Sequence, residues 1–153
     1  MADYSMDEDP EYWQSPQRFR ALFDKVRSFG VNCSYFPLGD ADNDSTPVAV
    51  IVEMKPGFVI MRHAHPCDRF EVIVRGTLLA ANGRVLRAGD VMVSKAGELY
   101  GPKTAGQDGC TTVEVFGTAA GVTKRIEERA DGSVETVDLM QFDVAFAHHL
   151  KKD

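Results

Sequence analysis

The chain has 153 residues, of which 44% are apolar and 26% charged, a balance expected of one globular domain large enough for a real core. The formal net charge is −6, with Asp3, Asp7, Glu8, Asp9 and Glu11 crowded at the start; this disfavours nucleic acid and anionic membrane, which both need a basic face. No apolar run approaches the length of a membrane span, no charged-then-apolar leader is present, and Cys33, Cys67 and Cys110 form no disulfide framework, so the expected setting is a reducing cytoplasm.

In chain order, residues 1–14 read as an acidic, solvated arm, and residues 15–153 as a single domain. Ser15-Pro16 opens a helix as N-cap and first helical proline; Phe19, Leu22, Phe23, Val26 and Phe29 recur at helical spacing, and Gly30 closes it, giving an amphipathic helix over 16–29. A short apolar run at Cys33–Phe36 leads to a polar loop, Pro37–Pro47. That loop contains Asp40-x-Asp42-x-Asp44, but a calcium loop counted from Asp40 would need glycine and glutamate where Ser45 and Ile51 stand, so it reads as a solvated turn.

From Val48 to Val137 the pattern is short strands separated by turns. The runs are Val48–Met54, Phe58–Arg62, Phe70–Val74, Leu78–Ala81, Val85–Leu86, Val91–Ser94 and Thr111–Phe116, with a polar, Gly-rich loop at Gly101–Gly109. Asn82-Gly83 and Asp131-Gly132 are hairpin turns, the latter joining Val122–Glu127 to Val134–Val137. Asp138 with Gln141 three residues on forms a capping box for a closing helix over 139–150. Many short strands at this spacing predict an all-β sandwich or barrel flanked by helices.

The residues richest in chemistry are His63 and His65. Side chains alternate along a strand, so a His-x-His pair faces one way with backbones about 6–7 Å apart, and two imidazoles can converge on one metal ion. Glu71 lies two residues beyond Arg69 in the next strand and would face the same side, where it either completes a metal site or neutralises Arg69. His63, His65 and Glu71 would then make a two-histidine, one-carboxylate face of the kind that holds non-haem ferrous iron with open positions. Tyr100 is a candidate third donor or proton-handling group, and Arg69 a fork for a substrate carboxylate. Asp68 reads as a turn residue, Cys67 as a small buried one, and Glu114 first as facing solvent from the outer face of its strand and second as a carboxylate supplied from the opposite wall. His148 and His149 suit a helix C-terminus. No Gly-rich phosphate loop and no Ser/His/Asp or CxxC arrangement is present, so nucleotide and nucleophilic chemistry find no support.

Over about residues 48–120 the chain resembles the cupin superfamily. The first cupin motif is matched at Gly57, at His63-Ala64-His65 five residues on, and at Gly76; the second is matched at Gly89 and, after five residues, through Lys95-Ala96-Gly97 to Tyr100. The sequence departs from the pattern where Arg69 stands for a ligand glutamate, Tyr100 for a ligand histidine, Lys95 for proline and Thr104 for asparagine. The resemblance implies a double-stranded β-helix (jelly-roll) barrel and a divalent metal on His63 and His65, iron(II) first and nickel, manganese or zinc after it, with Glu71 completing the set by its place on the strand. It further implies dioxygenase, isomerase, lyase or decarboxylase chemistry on a small organic molecule, with Tyr100 and Glu71 handling protons and Arg69 and Lys95 steering an anion. A homodimer, with the apolar face of helix 16–29 covering a neighbour's barrel, is the expected assembly. The alternative is a non-catalytic cupin that binds a small ligand or serves in assembly.

Overall fold

The computed structural model describes residues 1–13 and 15–141. After 3-10 turns at Pro10–Tyr12 and Gln17–Phe19 come α1 (Arg20–Ser28), β1 (Val31–Pro37), β2 (Val48–Met54), β3 (Val59–Ile60), β4 (Arg69–Leu79) and β5 (Val85–Arg87). These are followed by β6 (Val91–Ser94), β7 (Lys103–Phe116), the short α2 (Ala119–Val122), β8 (Lys124–Glu128) and β9 (Val134–Asp138). The large sheet is seven-stranded and antiparallel, in the order β1-β2-β7-β4-β5, with β3 also on β7 and β6 also on β4; β8 and β9 form a separate hairpin. The expected all-β architecture is therefore present. No described helix is long and apolar enough to cross a membrane.

Two long strands give the barrel its shape. The first part of β4 runs between β7 and β6, and its second part between β7 and β5; β7 likewise pairs β3 early and β2 late. Register shifts between Ile73 and Arg75 and between Gly76 and Leu78 mark the bend. Gly76 and Gly109 meet there, both at positive φ, and a Cβ on Gly76 would stand 2.1 Å from the Gly109 carbonyl oxygen. Only glycine fits. This bend is why the sequence reads Phe70–Val74 and Leu78–Ala81 as two strands and Gly101–Gly109 as a loop. A bulge breaks the period of two just as a strand end does.

Inward residues of both strands and of β1 and β2 build the core around Tyr35, Val48, Val50, Met54, Ile73, Leu78, Ala105 and Phe116. The predicted first helix is shorter than expected: Gln17–Phe19 is a 3-10 turn, α1 begins at Arg20, and no side chain caps either start. Phe19 and Phe23 pack on Tyr35 of β1, with ring centroids 5.2 and 6.2 Å away. The buried face of the helix thus packs on its own barrel. The acidic arm is also docked at points, contrary to expectation: Asp7 takes both Arg75 guanidinium nitrogens at 2.9 and 2.7 Å, and Tyr4 and Tyr12 approach the Phe36 ring. In the polar loop Asp40 accepts from the Asp42 amide, an Asx turn. The closing helix expected over 139–150, with His148 and His149, falls largely outside the described residues; Asp138 does accept from the Met140 amide at 2.9 Å.

Candidate functional site

The histidines sit just beyond β3, in an extended segment fixed by single bridges. His63 pairs with Tyr100 and Ala64 with Ile126 of β8. The His63 and Tyr100 backbones exchange hydrogen bonds of 3.0 and 2.9 Å, which sets the two side chains facing each other; the Tyr100 hydroxyl lies 2.8 Å from His63 Nε2. His63 Nδ1 is 2.7 Å from the Met61 carbonyl, and His65 Nδ1 is 2.8 Å from the carbonyls of Gly121 and Lys124. Carbonyl oxygens only accept, so each Nδ1 carries the proton and each Nε2 keeps its lone pair. It follows that Tyr100 donates to His63. The two imidazole centroids are 5.1 Å apart.

Burial lowers the basicity of both rings. His63 is held well below the ordinary value by loss of solvent, then by its neighbour His65. Burial takes His65 down to about 4, against the two carbonyl hydrogen bonds that work in the other direction. Both are neutral at pH 7. Burial also pushes the Tyr100 phenol above its usual range, with Arg69 pulling it partly back.

Beside them lies a buried ion-pair network. Glu71 and Glu114 are directly opposite on β4 and β7, a like-charge pairing that would be repulsive alone. Arg69 Nη1 resolves it, donating to Glu71 Oε2 at 2.8 Å and to Glu114 Oε2 at 2.7 Å, and Lys103 Nζ adds a 2.7 Å bond to the same Glu71 oxygen. All four side chains are buried. Burial works against the Arg69 charge, but Glu114 and Glu71 outweigh it and keep the guanidinium protonated. Arg69 and Lys103 also lie 4.2 and 4.5 Å from the centre of the Tyr100 ring.

These groups line one cavity of about 180 Å³, together with apolar side chains that include Val52, Phe58 and Ile60. Of the predicted site residues, His63, His65, Arg69, Glu71 and Tyr100 come together there. Lys95 does not: its side chain is 75% exposed and pairs with Asp68 on the surface. The sequence reading also missed two members. Glu114, expected to face solvent, points inward, as its place two residues before buried Phe116 requires. Lys103 gave no signal, because the segment holding it reads as a loop.

His63 and His65 are the two side chains here that could hold a divalent metal. A ligating imidazole characteristically gives its other ring N–H to a carbonyl or carboxylate, as His63 and His65 both do; the Tyr100 hydroxyl is hydrogen-bonded to the remaining nitrogen of His63. Glu71 is held instead by Arg69 and Lys103, and among the described residues no three His, Cys, Asp or Glu side chains gather around one point.

No protein-family model matches the chain, and no curated protein matches it. Solved structures do. An acetylacetone dioxygenase from Acinetobacter johnsonii superposes with a TM-score of 0.53 at 14% identity, over 97% of this chain and 93% of its own. An RmlC-like cupin protein from Ralstonia eutropha JMP134 gives 0.51 at 13% identity, over 78% and 73%. A protein of unknown function with a cupin-like fold, from the same organism, gives 0.53 at 10%, over 79% and 73%. The chain has the cupin fold.

Proposed function

We propose that the barrel interior binds a divalent metal on His63 and His65 and acts on a small organic molecule seated against the apolar wall. One observation carries this reading: both buried imidazoles give their Nδ1 protons to backbone carbonyls, so both Nε2 atoms are neutral acceptors, that of His63 taking the Tyr100 hydroxyl proton, which a cation would displace. Iron(II) leads, with nickel, manganese or zinc as alternatives that imidazole also serves. Once bound, the ion supplies Lewis-acid or oxygen-binding chemistry.

The chain's own residues supply the rest. The Tyr100 hydroxyl holds a proton at His63 Nε2 in the free site and is the group placed to give or take one at the substrate. The Arg69–Glu71–Glu114–Lys103 network fixes the local field. Because its cations are already matched by carboxylates, the network is better suited to holding charge in place than to capturing an anionic substrate.

The same network supports a second reading, a metal-free cupin that binds a small ligand without transforming it. Elemental analysis of freshly purified protein, and after reconstitution with iron(II), nickel, manganese or zinc, separates the two. About one ion per chain, abolished in H63A/H65A with the fold intact, is the expected result. No bound metal after every reconstitution overturns the first reading in favour of the second.

A further inference from the structure

Alternation along β4 puts Arg69, Glu71 and Ile73 inside the barrel, and therefore puts Phe70, Val72 and Val74 on its outer face. Their neighbours on that face are Val93 and Val91 of β6, and Val115 and Val113 of β7. Three adjacent strands thus present one phenylalanine and six valines, with no polar side chain among them. Phe70 and Val74 are exposed, and Val91 and Val93 more so, at 53% and 64%. The outer face made by the second part of β4 with β5 and β7 is different in kind. There Leu79 and Val85 are interspersed with Thr77, Arg87 and Thr104.

The neighbouring half of the same face is already covered. Ser34 and Ile51, paired across β1 and β2, point outward and are nevertheless buried. The N-terminal arm lies there: Ser34 Oγ donates to the Tyr12 carbonyl, and Tyr4 and Tyr12 approach Phe36. The arm meets β4 at Arg75, through Asp7, which is the bulged end away from Phe70. The charges bordering the open half are closed among themselves, Asp7 with Arg75 beyond Val74, and Asp68 with Lys95 beyond Phe70 and Val93. The four exposed side chains leave about 300 Å² of apolar surface, and the hydrocarbon stems of Arg75 and Lys95 extend it. A stable dimer takes about 800 Å² from each partner, as an apolar centre within a polar rim. This face supplies both parts.

We propose that the open half of this face, centred on Phe70, Val91 and Val93, is an isologous interface between two copies of the chain. A chain carrying −6 repels its own copy, so self-association has to run through an uncharged face. A sheet face of β-branched side chains with no charge is complementary to itself, and two such faces pack as sheet on sheet. The two-fold then sets Phe70, Val91 and Val93 of one copy against the same residues of the other. The homodimer expected from the sequence forms through the sheet, not through helix 16–29. Phe70 stands between Arg69 and Glu71, so the contact backs the strand that carries the buried ion-pair network. The inference is independent of metal binding.

The test is sedimentation equilibrium of the full chain across about 1–100 μM, where an interface of standard size is at least partly associated. A dimer is expected. V93E and, separately, V91E are expected to weaken it about a hundredfold or more, because a two-fold brings each new carboxylate into the interface twice. Both positions are exposed, so circular dichroism and the thermal midpoint should show the fold unchanged. V134E adds the same charge at an equally exposed valine on the β8–β9 hairpin, and should leave the dimer as it is. A monomer throughout the range overturns the proposal, and so does association beyond a dimer. A dimer that survives V93E and V91E overturns it too, as one formed through the helix or the arm would, and so does equal dissociation of V134E. If one of the two β6 variants does not fold, the other decides.

Discussion

The two ends of β4 point into the same barrel and fill it by opposite means. From the first part come Arg69 and Glu71, a cation and an anion locked to Glu114 and Lys103; from the second come Ile73 and Leu78, both fully buried among hydrocarbon. Apolar residues at the second end need only fill volume, and each methylene removed from water stabilises the fold. At the first end, four charges have been taken out of water, and their mutual attraction roughly offsets that desolvation. Hydrophobic side chains of similar size would hold this end together as well or better. The charged end is therefore hard to explain by stability, and it is the end that carries the two neutral imidazoles and the phenol.

Substitutions at the charged end break or sharpen that contrast. The largest effect is expected for R69M, which leaves Glu71 sharing one ammonium and Glu114 facing it unpaired, at a cost of about 3–5 kcal/mol in urea denaturation. Adding E114L to R69M leaves Glu71 paired with Lys103 and should recover at least about 1 kcal/mol. A double variant as unstable as the single one would show that packing, and not charge balance, governs this end.

The next effect is with pH. Both histidines have folded-state pKa values below the ordinary 6.5, with His65 at about 4, so the unfolded chain binds more protons between those limits. Stability is complete above about pH 6.5 and declines as pH falls toward 4, by about 3 kcal/mol for His65 alone. Denaturation midpoints at pH 7.5 and 4.5 should differ in that direction, and H65A should flatten the difference. A midpoint independent of pH over this range would mean that the imidazoles are not buried and neutral.

Smaller still is Y100F, which deletes the hydroxyl on His63 Nε2 but keeps the ring beneath Arg69 and Lys103. It should cost about 1 kcal/mol in the metal-free protein. K95A, on an exposed pair with Asp68, should change stability by less than about 0.5 kcal/mol. A larger loss would mean that the Lys95–Asp68 pair contributes more than an exposed ion pair should.

Much of this was legible before any coordinates. The Asn82-Gly83 and Asp131-Gly132 turns, the short apolar runs between turns and the glycine spacing around His63 match a cupin barrel, because each rests on local geometry or on a fixed interval along the chain. Other features were not legible. The continuity of β4 and β7 through their bulges depends on Gly76 meeting Gly109, two residues far apart in the chain. The fate of Glu71 depends on Lys103 and Glu114 arriving from β7, one from a stretch that reads as a loop and the other from a strand whose facing was misjudged.

The sequence by itself determined the strand pattern, the His63–His65 pair on one side of the chain, and the substitutions Arg69 and Tyr100 at positions where cupins place metal ligands. Periodicity and spacing are properties of a single segment and survive without a fold. Tertiary structure decided which charges meet: that Arg69 sits between two facing carboxylates, that Tyr100 caps His63, and that one oxygen of Glu71 is buried without a hydrogen-bond partner. Such facts belong to strands brought side by side, and hydrogen bonds reach only about 3 Å; only the packed barrel brings those atoms that close.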